Sequence, residues 1–78
     1  MRADALQVLA DLRQACQQAI DAGQDRMSIT MTQRPPPGFP RRELLSVGAG
    51  GHRNYSVCPV RMRQWLDGAE AELRAEPL

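Results

Sequence analysis

Between residues 3 and 22 the apolar positions Ala5, Val8, Leu9, Leu12, Cys16, Ala19 and Ile20 recur at the three- and four-residue steps of one helix face. Gln7, Asp11, Gln14, Gln18 and Asp21 fall opposite, and Asp4 stands near the positive end of the helix dipole. Gly23 offers a stop, because helices commonly end on a residue in the left-handed region. The period then changes to two. Met27, Ile29 and Met31 alternate with Ser28, Thr30 and Thr32, which predicts a strand over 27–32 whose apolar side faces the first helix. Residues 33–40 hold four prolines and read as an extended connection, since proline cannot donate to a sheet ladder. Its Phe39 is expected to tuck into the edge of the domain.

Residues 43–57 predict a β-hairpin. Glu43–Val47 and His52–Val57 flank Gly48-Ala-Gly-Gly51, a turn with several positions free to take positive φ. Tyr55 and Val57 share one strand face, with Leu45 and Val47 expected opposite them and Leu44 on the outer face with Ser46, Asn54 and Ser56. Pro59 suits the first position of a helix over 59–75, where its missing N–H has no partner to lose. Met62, Trp65, Leu66, Ala69 and Leu73 line one side of it, with Val60 close by. Gly68 is a place where this helix could break, and Pro77 would end it. The pattern predicts an α+β fold of order α-β-β-β-α. Its sheet is expected to be a three-stranded antiparallel meander with both helices on one face. Residues 1–78 form one small domain.

Composition adds two constraints. A chain of 78 residues buries only about 60% of its unfolded surface, so pairing into a homodimer is one route to added stability. Two cysteines without a C-x-x-C pair do not make a disulfide scaffold, and no run approaches the roughly 18 apolar residues of a membrane span. A cytoplasmic protein with reduced thiols and no membrane partner is expected. All ten basic residues are arginine, whose planar five-donor fork suits contacts with carboxylates, phosphates and aromatic faces.

Charge sharpens the picture further. Residues 1–33 carry three arginines against four acids (−1), residues 34–63 carry six against Glu43 alone (+5), and residues 64–78 carry Arg74 against four acids (−3). The net charge of +1 therefore conceals a basic middle: Arg34, Arg41, Arg42, Arg53, Arg61 and Arg63. These six are the candidate partner-binding residues. They could instead pair with the acidic tail residues Glu70, Glu72 and Glu76, in which case they are structural.

No catalytic residue, metal site or cofactor is expected. His52 and Cys58 stand at opposite ends of one short strand, about 20 Å apart at ~3.3 Å per residue, too far to act together. Cys16, His52 and Cys58 lack any metal-ligand spacing, and no glycine-rich phosphate loop or paired-acid arrangement occurs. Cys16 lies on the apolar helix face and reads as a small core residue. Pro37-x-x-Pro40-x-Arg42 has the bare form of a proline-rich groove ligand, a short pattern that a stiff connection explains equally.

Two resemblances extend this. The order α-β-β-β-α is similar to that of the double-stranded-RNA-binding domain. That family carries a Gly-Pro-x-His loop and a lysine cluster; here Arg34-Pro-Pro-Pro-Gly-Phe-Pro40 and the pair Arg61 and Arg63 stand in their places. The likeness implies nucleic-acid binding through phosphate contacts. Residues 38–66 resemble a pattern in small bacteriophage and prophage accessory proteins: Phe39-Pro-Arg-Arg-Glu-Leu-Leu-Ser-Val, a glycine turn, Arg53-x-Tyr55-x-x-x-Pro59 and Trp65-Leu66. Arg42 and Cys58 stand where that pattern has glycine and aspartate. This second likeness implies a non-enzymatic protein that binds a host macromolecule, in the first place a host protein such as a defence complex, with DNA or RNA as the alternative.

Overall fold

A computed structural model describes residues 2–76 of the chain. The elements run α1 (Arg2–Asp21), β1 (Met27–Met31), β2 (Arg41–Val47), β3 (Arg53–Val57) and α2 (Pro59–Ala75), an α+β domain of order α-β-β-β-α. Helix α1 closes as a Schellman end: Gln24 N–H donates to the Ala19 carbonyl and Gly23 N–H to that of Ile20. Helix α2 begins on Pro59 and runs through Gly68 without a break. Pro77 lies outside the described residues.

The sheet is antiparallel, but its order is β1-β3-β2 and the expected meander is not formed. Only β2 and β3 are joined by a tight turn. There Gly50 and Gly51 take φ of 74° and 82°, and Gly48 N–H donates to the His52 carbonyl. The connection from β1 to β2 is long and proline-rich, too stiff for a hairpin, and it carries the chain past β3. Strand β3 therefore occupies the centre, hydrogen-bonded on both edges, and Tyr55, Ser56 and Val57 are all buried.

The core lies between the sheet and the two helices. Cys16 from α1, Ile29 from β1, Val57 from β3 and Met62 and Leu66 from α2 form its buried cluster, with Leu9, Leu12, Met27, Met31, Phe39 and Trp65 packed around it. The apolar sides predicted for β1 and both helices are the sides that face inward, with two exceptions. Val8 and Val60 are exposed, because they stand at the margins of their helix faces.

The larger departure is β2. None of its residues joins the core, and Leu45 and Val47, expected to face inward, are exposed along with Leu44. Irregularities between Arg41 and Glu43 and between Leu44 and Ser46 shift the register, so that Leu44 pairs with Tyr55 and Val47 with Arg53. Leu44 thus leaves the outer-face position predicted for it. The outer face itself is polar as expected: Thr30 hydrogen-bonds to Asn54, and Asn54 Nδ2 donates to Ser46 Oγ at 2.7 Å, a ladder across all three strands.

The helices are joined by charge as well as by packing. Arg13 Nη2 lies 2.6 Å from both Asp67 Oδ1 and Glu70 Oε2, and Arg74 pairs with Glu70 at 3.1 Å. The Arg74 hydrogen bond and then the Arg13 charge hold the Glu70 carboxyl below the ordinary carboxylate range. These groups are partly solvated, so the pairs set helix register more than they add stability.

Candidate functional site

The six arginines of the basic middle do not form one patch. All six are exposed, but the fold separates them. Arg63 turns toward α1 and donates to Gln17 Oε1. Arg34 stays in the proline-rich strap. Arg41, opposite Val57, and Arg53, opposite Val47, stand at the two ends of the β2–β3 ladder on the face of Tyr55. Both side chains act on that tyrosine between them, with Arg42 next to Arg41 in β2. Arg41, Arg42 and Arg53 line an open cleft of about 390 Å³ with Glu43, Leu44 and Tyr55. Arg61, in the first turn of α2, is near enough to Cys58 to act on its charge, as is Arg42, so it extends the same basic region.

Tyr55 organises this cleft. Its ring is buried in the sheet, and the Arg41 guanidinium carbon lies 5.8 Å from the ring centroid, a cation–π approach. The Arg53 guanidinium, followed by that of Arg41, favours the phenolate and lowers the Tyr55 pKa against the opposing effect of burial. The tyrosine thus lies against two arginines that remain exposed. Sequence reading placed Tyr55 on one strand face with Val57 and missed this second role. The spacing Arg53-x-Tyr55 on a strand, which puts both residues on one face, was the available signal.

Glu70, one of the acidic tail residues named as alternative partners, is engaged by arginines other than the six. Asp67 and Glu70 pair with Arg13 and Arg74, which are not among the six. Arg41, Arg42, Arg53 and Arg61 stand outside those pairs.

The two thiols differ. Burial raises the pKa of Cys16, an effect that the charge of Arg63 only tempers. Cys58 is the N-cap of α2 and closes no cap hydrogen bond with its side chain. The Arg61 N–H and then the Val60 N–H still lie toward its sulfur, and with the charges of Arg42 and Arg61 they lower its pKa against partial burial. In a native-state alkylation series, Cys58 is expected to react first, with a pH midpoint below that of an ordinary exposed thiol, while Cys16 reacts only on unfolding. Mass-spectrometric mapping of the alkylated residue checks both statements, and equal labelling of the two would refute them.

A second, larger hollow of about 1020 Å³ lies between α1, α2 and the strap, with Val8, Leu9, Pro36, Pro37, Trp65 and Leu73 in its lining. Phe39 meets Trp65 edge to face at its border, with ring centroids 5.3 Å apart. The expected tuck of Phe39 into the domain edge is thus present. Among the described residues no three His, Cys, Asp or Glu side chains gather as metal ligands, and no helix is long and apolar enough to cross a membrane. Comparison with protein-family models, with curated proteins and with solved structures gives no match.

Proposed function

We propose that this chain is a non-enzymatic accessory protein of phage or prophage type that acts in the host cytoplasm. In this reading it binds a host protein and modulates or inhibits it through Arg41, Arg42, Arg53 and Arg61. The observation that supports this reading is the cleft at Tyr55, where three exposed arginines converge with a single acid, Glu43, among them. A guanidinium held against an aromatic ring has less freedom to lose on binding, so its contact with a carboxylate costs less entropy. Arg34 and Arg63, singled out with the others in the sequence, fall outside this centre and are assigned no part in it.

The test is affinity capture from bacterial lysate with the wild-type chain and with Arg41→Glu/Arg42→Glu. Both positions are exposed, so the reversal is expected to leave the melting temperature within a few degrees while the captured partner is lost. Retention of the same partner by the reversed protein would overturn the reading. Direct binding of DNA or RNA would use the same arginines, and a mobility-shift titration at two salt concentrations separates it, because phosphate contacts weaken steeply with salt.

A further inference from the structure

The free edge of β2 is the least protected feature of the fold. The order β1-β3-β2 leaves one long side of Arg41–Val47 without a neighbouring strand, and every residue of that strand is exposed. Apart from Arg41, whose N–H donates to the Phe39 carbonyl, the strand has no backbone hydrogen bond beyond the β2–β3 ladder among the described residues. No proline or lysine interrupts it, and neither helix contributes it a core contact. Leu44, Leu45 and Val47 are 48, 52 and 61% exposed, three large apolar side chains on one strand. The other edge, β1, is shorter and has its apolar side chains turned into the core. Soluble proteins ordinarily blunt such an edge.

Charge decides which occupant the edge fits. A second copy would bring its own Arg41 and Arg42 to a surface that is already basic. A nucleic acid could neutralise the arginines but could use neither the strand's backbone groups nor its leucines. An extended peptide can use all three features. Arg41, Leu44 and Val47 pair with Val57, Tyr55 and Arg53 and so share one face of the sheet. Every second residue of an added strand meets that face, with apolar side chains at Leu44 and Val47 and a carboxylate at Arg41.

We therefore infer that β2 takes up an extended acidic segment of the partner protein as a fourth strand, with apolar residues against Leu44 and Val47 and a carboxylate on the same face at Arg41. This rests on the proposed function and names the chemistry of its partner. The main-chain hydrogen bonds provide attachment, and the arginines select for acid.

The experiment uses the full chain, isotopically labelled, and a synthetic peptide with serine at every second position and glutamate and valines at the positions between, so that acidic and apolar side chains share one face. Amide shifts are expected within 41–47 and at Arg53 and Tyr55, with slowed amide exchange along β2. Arg41→Glu/Arg42→Glu is expected to weaken binding by about tenfold or more. N-methylation of alternate peptide residues is expected to abolish binding in one phase and spare it in the other, since only one set of N–H groups faces β2. The inference is overturned if β2 amides do not move at millimolar peptide, if the same peptide with lysine in place of glutamate binds as well, or if both methylated phases behave alike. It is also overturned if sedimentation of the chain alone reveals a dimer that Leu45→Asp dissociates, which assigns the edge to a second copy. Failure of the peptide with loss of the captured partner in Arg41→Glu/Arg42→Glu removes the strand addition alone. Retention of the partner by that variant removes the underlying function as well.

Discussion

Replacing Leu66 by alanine should lower the melting temperature by about 10–30 °C, whereas the same change at Leu44 should shift it by only a few degrees. Leu66 is fully buried on α2 at the meeting of Cys16, Ile29, Val57 and Met62, and its removal leaves a cavity lined by both helices and two strands. Such deletions cost about 2–5 kcal/mol. Total stability for a domain of this size is on the order of 4–12 kcal/mol, so the loss is a large share of it. Leu44 is nearly half exposed on the uncovered strand, and truncating it removes little buried surface. Because the residue type is the same, the pair isolates burial as the cause. Melting followed by far-UV circular dichroism is the measurement, and equal shifts for the two variants would contradict the described core.

Trp65→Ala is expected to act on two parts of the molecule together. Trp65 packs on the core with one side and on Phe39 with the other, at 5.3 Å between centroids. Gly38 closes over the indole with φ of 78°, where an added Cβ would sit 3.6 Å from Trp65 Nε1. Loss of the indole should cost about 3 kcal/mol, the lower part of the range for a tryptophan, because the side chain is only half-buried. It should also release the strap. The strap's own hydrogen bonds, Phe39 N–H to the Pro36 carbonyl and Arg41 N–H to that of Phe39, are short-range and cannot hold it against the domain. Hydrogen exchange at Phe39 and Arg41 should therefore accelerate more than exchange in β3. Uniform acceleration would mean that the strap is not anchored by Trp65. Trp65→Phe should retain most of the protection.

What could be read from the sequence divides along a physical line. Periodicity located all five elements to within about two residues, because each helix and β1 buries one face and the alternation of apolar and polar residues records that burial. It failed on β2 for the same reason. Leu44, Leu45 and Val47 carry the pattern of a half-buried strand, yet the helices cover only β1 and β3, and bulges break the strict alternation. Strand order was not legible either. A tight glycine turn announces its pairing locally, but nothing in Thr32–Pro40 says which side of the hairpin β1 will join. The arginines were legible as a charged stretch and not as a site, since the cleft depends on register and on Tyr55, both tertiary. Arg63 illustrates this. Two residues from Arg61, it lies on a different side of α2 and serves α1.

The central position of β3 also governs how the chain comes to fold. Both neighbours of the sheet need residues 53–57, and the inward face of α1 finds its partners only in α2 and the completed sheet. A nascent chain of which only the first fifty residues have emerged has a helix and two strands, β1 and β2, without the central strand that both pair with. The hairpin, closing over a short turn, can then assemble quickly, while β1 must be recruited across the long strap. Assembly is therefore held back until synthesis has passed α2, and until then the two cysteines and the apolar side of α1 remain open to chaperones and to oxidants in the cell.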